Sequence, residues 1–234
     1  MQRPVAHRPV DHAEQTIVTA ILEGRFPPGS ILPAERELAA LLGVTRPTLR
    51  EALRRLERDG WLVVHQGKST AVTDFWTEGG MNVLSGIVRY SQHLPPDFVP
   101  NLLQVRLDLA PTYTRLAVER APAQTLDALA GHDRLAESPA AFAAFDWTLQ
   151  KTLAVAAGNP IYALILNSFA SFYHQLAVLY FSHAESRASS RAYYTTLAAA
   201  ARQGDSAAAE EATRAVMRES MRLWQRAGSP VEAV

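Results

Sequence analysis

The sequence predicts a mainly α protein of two domains, residues 1–75 with one small β-hairpin and residues 76–234 all helical. Three observations carry this. Apolar residues recur at helical spacing along most of the chain. The period turns extended only just after Gly60, in "WLVV" and "STAVT". Finally, 234 residues of which 48% are hydrophobic and 20% charged suffice for two packed cores of ordinary size.

The elements follow in order. Ile17, Ala20 and Ile21 repeat at helical spacing and Gly24 supplies a stop, so a first helix is expected over 11–23. "RFPPGSILP" reads as a turn. "AERELAALLG" predicts a second helix with Leu38, Leu41 and Leu42 on one side, Gly43 at its end and Ala34 at its start, where alanine offers no capping oxygen. A third helix begins after Thr45, whose hydroxyl can accept the N–H of Thr48, with Pro47 in the first turn where its missing N–H is no loss. Leu49, Ala52, Leu53 and Leu56 form its buried stripe, which turns Arg46, Arg50 and Arg54 along another face. "HQGK" then makes the glycine-bearing tip of the hairpin.

Charge sharpens this reading. The chain has zero formal net charge, yet residues 43–68 hold six basic side chains (Arg46, Arg50, Arg54, Arg55, Arg58, Lys68) against three acidic ones. Overall neutrality argues against indiscriminate polyanion binding and leaves one directed basic surface. Two short helices joined by a tight turn, the second starting "TRPTLR" and followed by a hairpin, fit a winged helix-turn-helix that offers the start of its second helix to the DNA major groove and its wing tip to the minor groove. The chain has no cysteine, no signal-peptide core and no membrane-length apolar run, so a cytoplasmic protein without membrane association is expected. Nucleophile elbow, metal set and phosphate loop are all missing from the sequence, and no catalytic role is assigned.

"LPAERELAALLGVTRPTLREALRRLERDGWL" resembles the DNA-binding signature of the GntR family of bacterial regulators. The resemblance continues through "GKSTAVTDFWTEGGMNVL", "NLLQVR", "FAAFD" and "GNPIYALILNSF" toward the family's FadR branch, whose members regulate fatty acid metabolism and respond to acyl-CoA. It implies a FadR-like fold and a homodimer on a palindromic double-stranded operator. Arg36, Thr45, Arg46, Thr48 and Arg50 would lie at the major groove, and His65, Gln66 and Gly67 at the wing tip. It further implies repression of fatty acid degradation, activation of unsaturated fatty acid synthesis, and release from DNA by long-chain acyl-CoA, an effector and not a cofactor. Two features of the DNA-binding domain depart from the branch: Pro47 replaces a threonine, and His65 and Gln66 stand in exchanged order.

In the second domain a helix is expected through 101–118, with Leu102, Val105, Leu109, Tyr113 and Leu116 as its apolar stripe and a kink or break at Pro111. Gly158 and Asn159 should end one helix and Pro160 start another, and "IYALILNSFASFYHQLAVLYF" reads as one central buried helix. A related GntR branch binds metal through an aspartate and three histidines. Near Asp146 the corresponding positions here hold Gln150, Tyr194 and Ser220, and His132, His174 and His183 lack helical partners, so no metal is expected. By resemblance, Arg106, Tyr173, Tyr180, Arg214, Ser220 and Trp224 are the effector-binding candidates. Met217 and Ser229 replace a glycine and a lysine of the branch. The alternative is a GntR-type regulator answering to another effector, such as a carboxylic acid.

Overall fold

The computed structural model describes residues 8–64, 69–90 and 94–226. The wing-tip residues His65, Gln66 and Gly67, with Lys68, and Ser229 lie outside the described residues. The chain forms two compact units, 1–92 and 93–234.

In the first unit α1 (Pro9–Leu22) starts two residues ahead of expectation, because Pro9 sits in the first turn with its φ already helical. Gly24, at φ 75°, ends it. The second helix, α2 (Glu35–Leu42), has no side-chain cap at Ala34 and is anchored by buried Leu38 and Ala39. Its continuation α3 (Arg46–Asp59) is capped by Thr45, whose Oγ1 accepts the N–H of Thr48 at 3.3 Å, and buries Leu49, Ala52, Leu53 and Leu56. Strands β1 (Leu62–Val63) and β2 (Ala71–Val72) pair antiparallel. The supposed turn adds a bridge that sequence alone did not reveal: Ile31 pairs with Ala71, and the Gly29 and Leu32 amides donate to Val72 and Thr70 at 2.8 and 2.9 Å. Helix α4 (Met81–Tyr90) packs on α1, and its Gly86 lies so close to Trp61 that a Cβ there would meet the ring at 2.7 Å. By its contacts α4 belongs to the first unit.

The second unit is all helical among its described residues: α5 (Phe98–Arg120), α6 (Pro122–Ala128), a single 3-10 turn (His132–Arg134), α7 (Pro139–Ala156), α8 (Pro160–Ser168), α9 (Ala170–Phe181), α10 (Ala184–Gln203) and α11 (Ser206–Arg226). Helix α5 packs on α11 and α7, α10 on α11 and α6, and α7 on α9. Phe142, Leu149, Leu153, Tyr194 and Leu197 are fully buried where these helices meet. The boundary at 158–160 forms as expected: Gly158 takes φ 74° and Asn159 Oδ1 caps α8 by accepting the Ile161 amide at 3.1 Å.

Helix α5 runs unbroken through Pro111, so of the kink or break expected there the break does not form: the proline removes one hydrogen bond, to Leu107, and the packing of α5 on α7 and α11 holds the rest. Two further expectations for this unit need correction. Val105 is 43% exposed, because the buried face of α5 runs through Ala110, Tyr113, Thr114 and Ala117. The long apolar run is no single central helix. It divides at Phe169 into α8 and α9, and Ile161 and Leu164 of α8 are 54% and 61% exposed.

Candidate functional site

Helix α3 sorts its five arginines. Arg55 on one flank is bound to Asp11, Glu14 and Glu51, and Arg58 near the C-terminal end of the helix is bound to Asp59. Arg46 and Arg54, with Arg36 of α2, are exposed and have no carboxylate partner among the described residues. Arg50, also exposed, donates from Nε to Glu35 Oε2 at 2.8 Å, a pairing between helices that the sequence reading missed. Thr45 and Thr48 share a hydroxyl–hydroxyl bond of 2.8 Å at the start of the helix. Cap, leucine stripe and turn thus deliver a short row of guanidinium groups to solvent on a rigid helix, the arrangement that reads a duplex groove.

In the second unit a cavity of about 60 Å³ lies among α5, α7, α9, α10 and α11. Five of the six effector candidates line it: Arg106, Tyr173, Tyr180, Ser220 and Trp224. Most of its wall is apolar, with Leu102, Leu103, Phe169, Phe172 and Val216 among the residues, and Met217 also projects into it. Arg214 is not brought in: its guanidinium pairs along α11 with Glu210 at 2.7 Å and Glu211 at 3.9 Å. Glu210 also binds Arg115 of α5 at 3.2 Å, so this pairing ties α11 to α5.

The polar end of the cavity has a definite order. Arg106 reaches Asp146 of α7 at 3.4 Å, and its guanidinium lies 5.5 Å from the centre of the Tyr173 ring. Asp146 also accepts hydrogen bonds from Tyr173, on the oxygen that faces Arg106, and from Tyr194 at 3.0 Å on the other. Tyr113 donates to Gln150 at 2.5 Å, and Tyr180 to Ser220 at 3.0 Å, while Ser220 donates to the Val216 carbonyl. Burial works to strip the charge from Arg106, but Tyr173 and Asp146 more than reverse that and hold its pKa above the usual value. Burial also pushes the phenols of Tyr113, Tyr173, Tyr180 and Tyr194 up, and that of Tyr193 to about 12, so all stay protonated. The result is a buried charge pair, neutral in sum. Asp146 was read only as part of a possible metal set. An arginine inside an apolar stripe requires an acid partner, and Asp146 is the sole acid of α7. Gln150 and Tyr194, at positions where the related branch holds metal, are taken up by these hydrogen bonds. Among the described residues no group of three or more His, Cys, Asp or Glu is placed to hold a metal ion.

Residues 9–72 match the family described as bacterial regulatory proteins of the gntR type, and residues 73–232 match the FadR C-terminal domain. The chain belongs to the GntR family. The fatty acid metabolism regulator protein of Cronobacter sakazakii is 42% identical to this GntR chain over 221 residues, covering 94% of it and 92% of the relative. The protein of the same description from Shewanella halifaxensis is 46% identical over 192 residues, 82% of this chain and 80% of that one. Among solved structures, Lar of Listeria monocytogenes, which controls expression of the agr system there, superposes with a TM-score of 0.63 over 97% of this chain and 99% of its own at 15% identity, a likeness of fold. These relatives are regulators, and this GntR chain is not an enzyme.

Proposed function

We propose that this protein is a DNA-binding transcriptional regulator of fatty acid metabolism, released from its operator when a long-chain acyl-CoA enters the cavity of the second unit. The observation that carries the reading is the cavity itself: apolar along most of its wall and closed at its polar end by a cation already neutralised by Asp146. Such an end offers no spare positive charge to a carboxylate, whereas the apolar wall suits an uncharged hydrocarbon tail. This weighs against the alternative effector, a free carboxylic acid. Pockets for ligands usually run to about 300–1,000 Å³, so side chains among α5, α9 and α11 must move before a tail fits. That movement is the means of coupling, since a ligand shifts an equilibrium only by binding one geometry better than the other.

On the DNA side, Arg36, Thr45, Arg46, Thr48 and Arg50 address the major groove, and two copies of the chain bind a palindromic operator with half-sites about one helical turn apart. Repression of degradation genes and activation of unsaturated fatty acid synthesis are the regulatory outcome this reading assigns. The test is to titrate the protein, bound to a duplex selected from a randomised pool, with oleoyl-CoA, oleate and small carboxylic acids. Release by oleoyl-CoA alone is expected. Release by small acids with none by any acyl-CoA would overturn the reading in favour of the alternative effector.

A further inference from the structure

Arg50 is the one arginine on the outward row of α3 that is held rather than left free. Its neighbours along that row, Arg46 and Arg54, have no carboxylate partner among the described residues, yet Arg50 Nε donates at 2.8 Å to Glu35, the first residue of α2. Both side chains remain well exposed, and an exposed pair of this kind adds little to stability. An acid beside a DNA-facing cation also repels phosphate. Neither fact suits a stabilising device or a site built only for affinity. Glu35 engages Nε alone, which leaves both terminal amines without a protein partner among the described residues. That is the edge whose two parallel donors match O6 and N7 of guanine.

We propose that Glu35 is a positioning residue for sequence reading: it presets the Arg50 guanidinium with its terminal edge outward and denies that arginine to indiscriminate phosphate contact. The inference rests on the proposed groove-facing role of Arg50. Fixing a long side chain in advance removes ordering cost at the moment of binding, and an arginine that cannot swing to the nearest phosphate discriminates better between sequences. Helix α2 is anchored through Leu38 and Ala39, so substitution at Glu35 leaves it in place.

The experiment compares full-length protein with its Glu35→Ala, Glu35→Gln, Arg50→Ala and Glu35→Ala/Arg50→Ala variants. The probes are a duplex selected by the unchanged protein from a randomised pool and its scrambled copy, measured by anisotropy across a salt series. Glu35→Ala should lower the ratio of selected to scrambled affinity about tenfold and steepen the salt dependence by about one unit. Glu35→Gln, whose amide oxygen still accepts from Nε, should keep the ratio within about twofold. The Glu35→Ala effect should vanish once Arg50 is alanine. A ratio unmoved by Arg50→Ala would overturn the groove-facing role and this proposal with it. A ratio lowered by Arg50→Ala but unmoved by Glu35→Ala would overturn the proposal alone. So would a Glu35→Ala loss that persists without Arg50, or a glutamine variant that behaves like the alanine one.

Discussion

Arg106 and Asp146 are bound to each other at 3.4 Å in a setting where either charge alone would be intolerable. Removing one partner leaves the other buried without a counter-charge. Asp146→Ala should therefore cost about 3–5 kcal/mol of unfolding free energy, read from urea denaturation, while the double change Arg106→Met with Asp146→Leu should recover most of it. A double variant as unstable as the single one would show that the hydrogen bonds from Tyr173 and Tyr194, and not the charges, hold this corner. Of the residues at this end, Arg106 and Tyr173 were legible in the sequence through resemblance. Asp146 was in view but was given no partner, because forty residues separate it from Arg106 and no local pattern links them. Glu35 was missed for the same reason, lying fifteen residues from Arg50. Thr45, Gly24 and Gly43 were legible because caps and left-handed stops are decided within a few residues of chain.

At the scale of elements, local punctuation was read well and burial poorly. Asn159 and Pro160 mark the start of α8 through their own side chains, and the structure places it there. The division between α8 and α9 falls at Phe169, with neither glycine nor proline to announce it, and composition could not tell that α8 buries only Leu166 of its apolar residues. Val105 failed for a related reason, since a stripe in α5 chosen by spacing alone ignores which neighbours are present on each side. The α7–α8 corner offers a direct check. Gly158 stands at φ 74°, and a Cβ there would lie 2.7 Å from Nη1 of Arg120, which itself donates to the Ala157 carbonyl at 2.7 Å. Gly158→Ala should lower stability by about 1–2 kcal/mol, seen as a reduced thermal midpoint. Arg120→Ala in the same chain should relieve the clash and leave only the backbone strain.

For the molecule as a whole, the buried tyrosines of the second unit make stability depend on alkaline pH. Each has a folded-state pKa above the unfolded value of 10.0, because burial disfavours the phenolate. A raised folded pKa means that the unfolded chain loses protons first. The stabilisation is complete below pH 10 and declines as pH rises from there toward about 12, where Tyr193 titrates in the folded state. Thermal midpoints measured from pH 8 upward should fall past about 10, and Tyr193→Phe should flatten the fall. Under the proposed function, the occupant of the cavity and the operator oppose one another through a single conformational equilibrium. Thermodynamic linkage makes that opposition reciprocal. The decisive measurement is the dissociation constant of oleoyl-CoA, by calorimetry, with and without a saturating selected duplex. DNA should weaken oleoyl-CoA binding by the same factor by which oleoyl-CoA weakens DNA binding, about 5- to 150-fold, whereas equal affinity in both conditions would refute the coupling of cavity and operator.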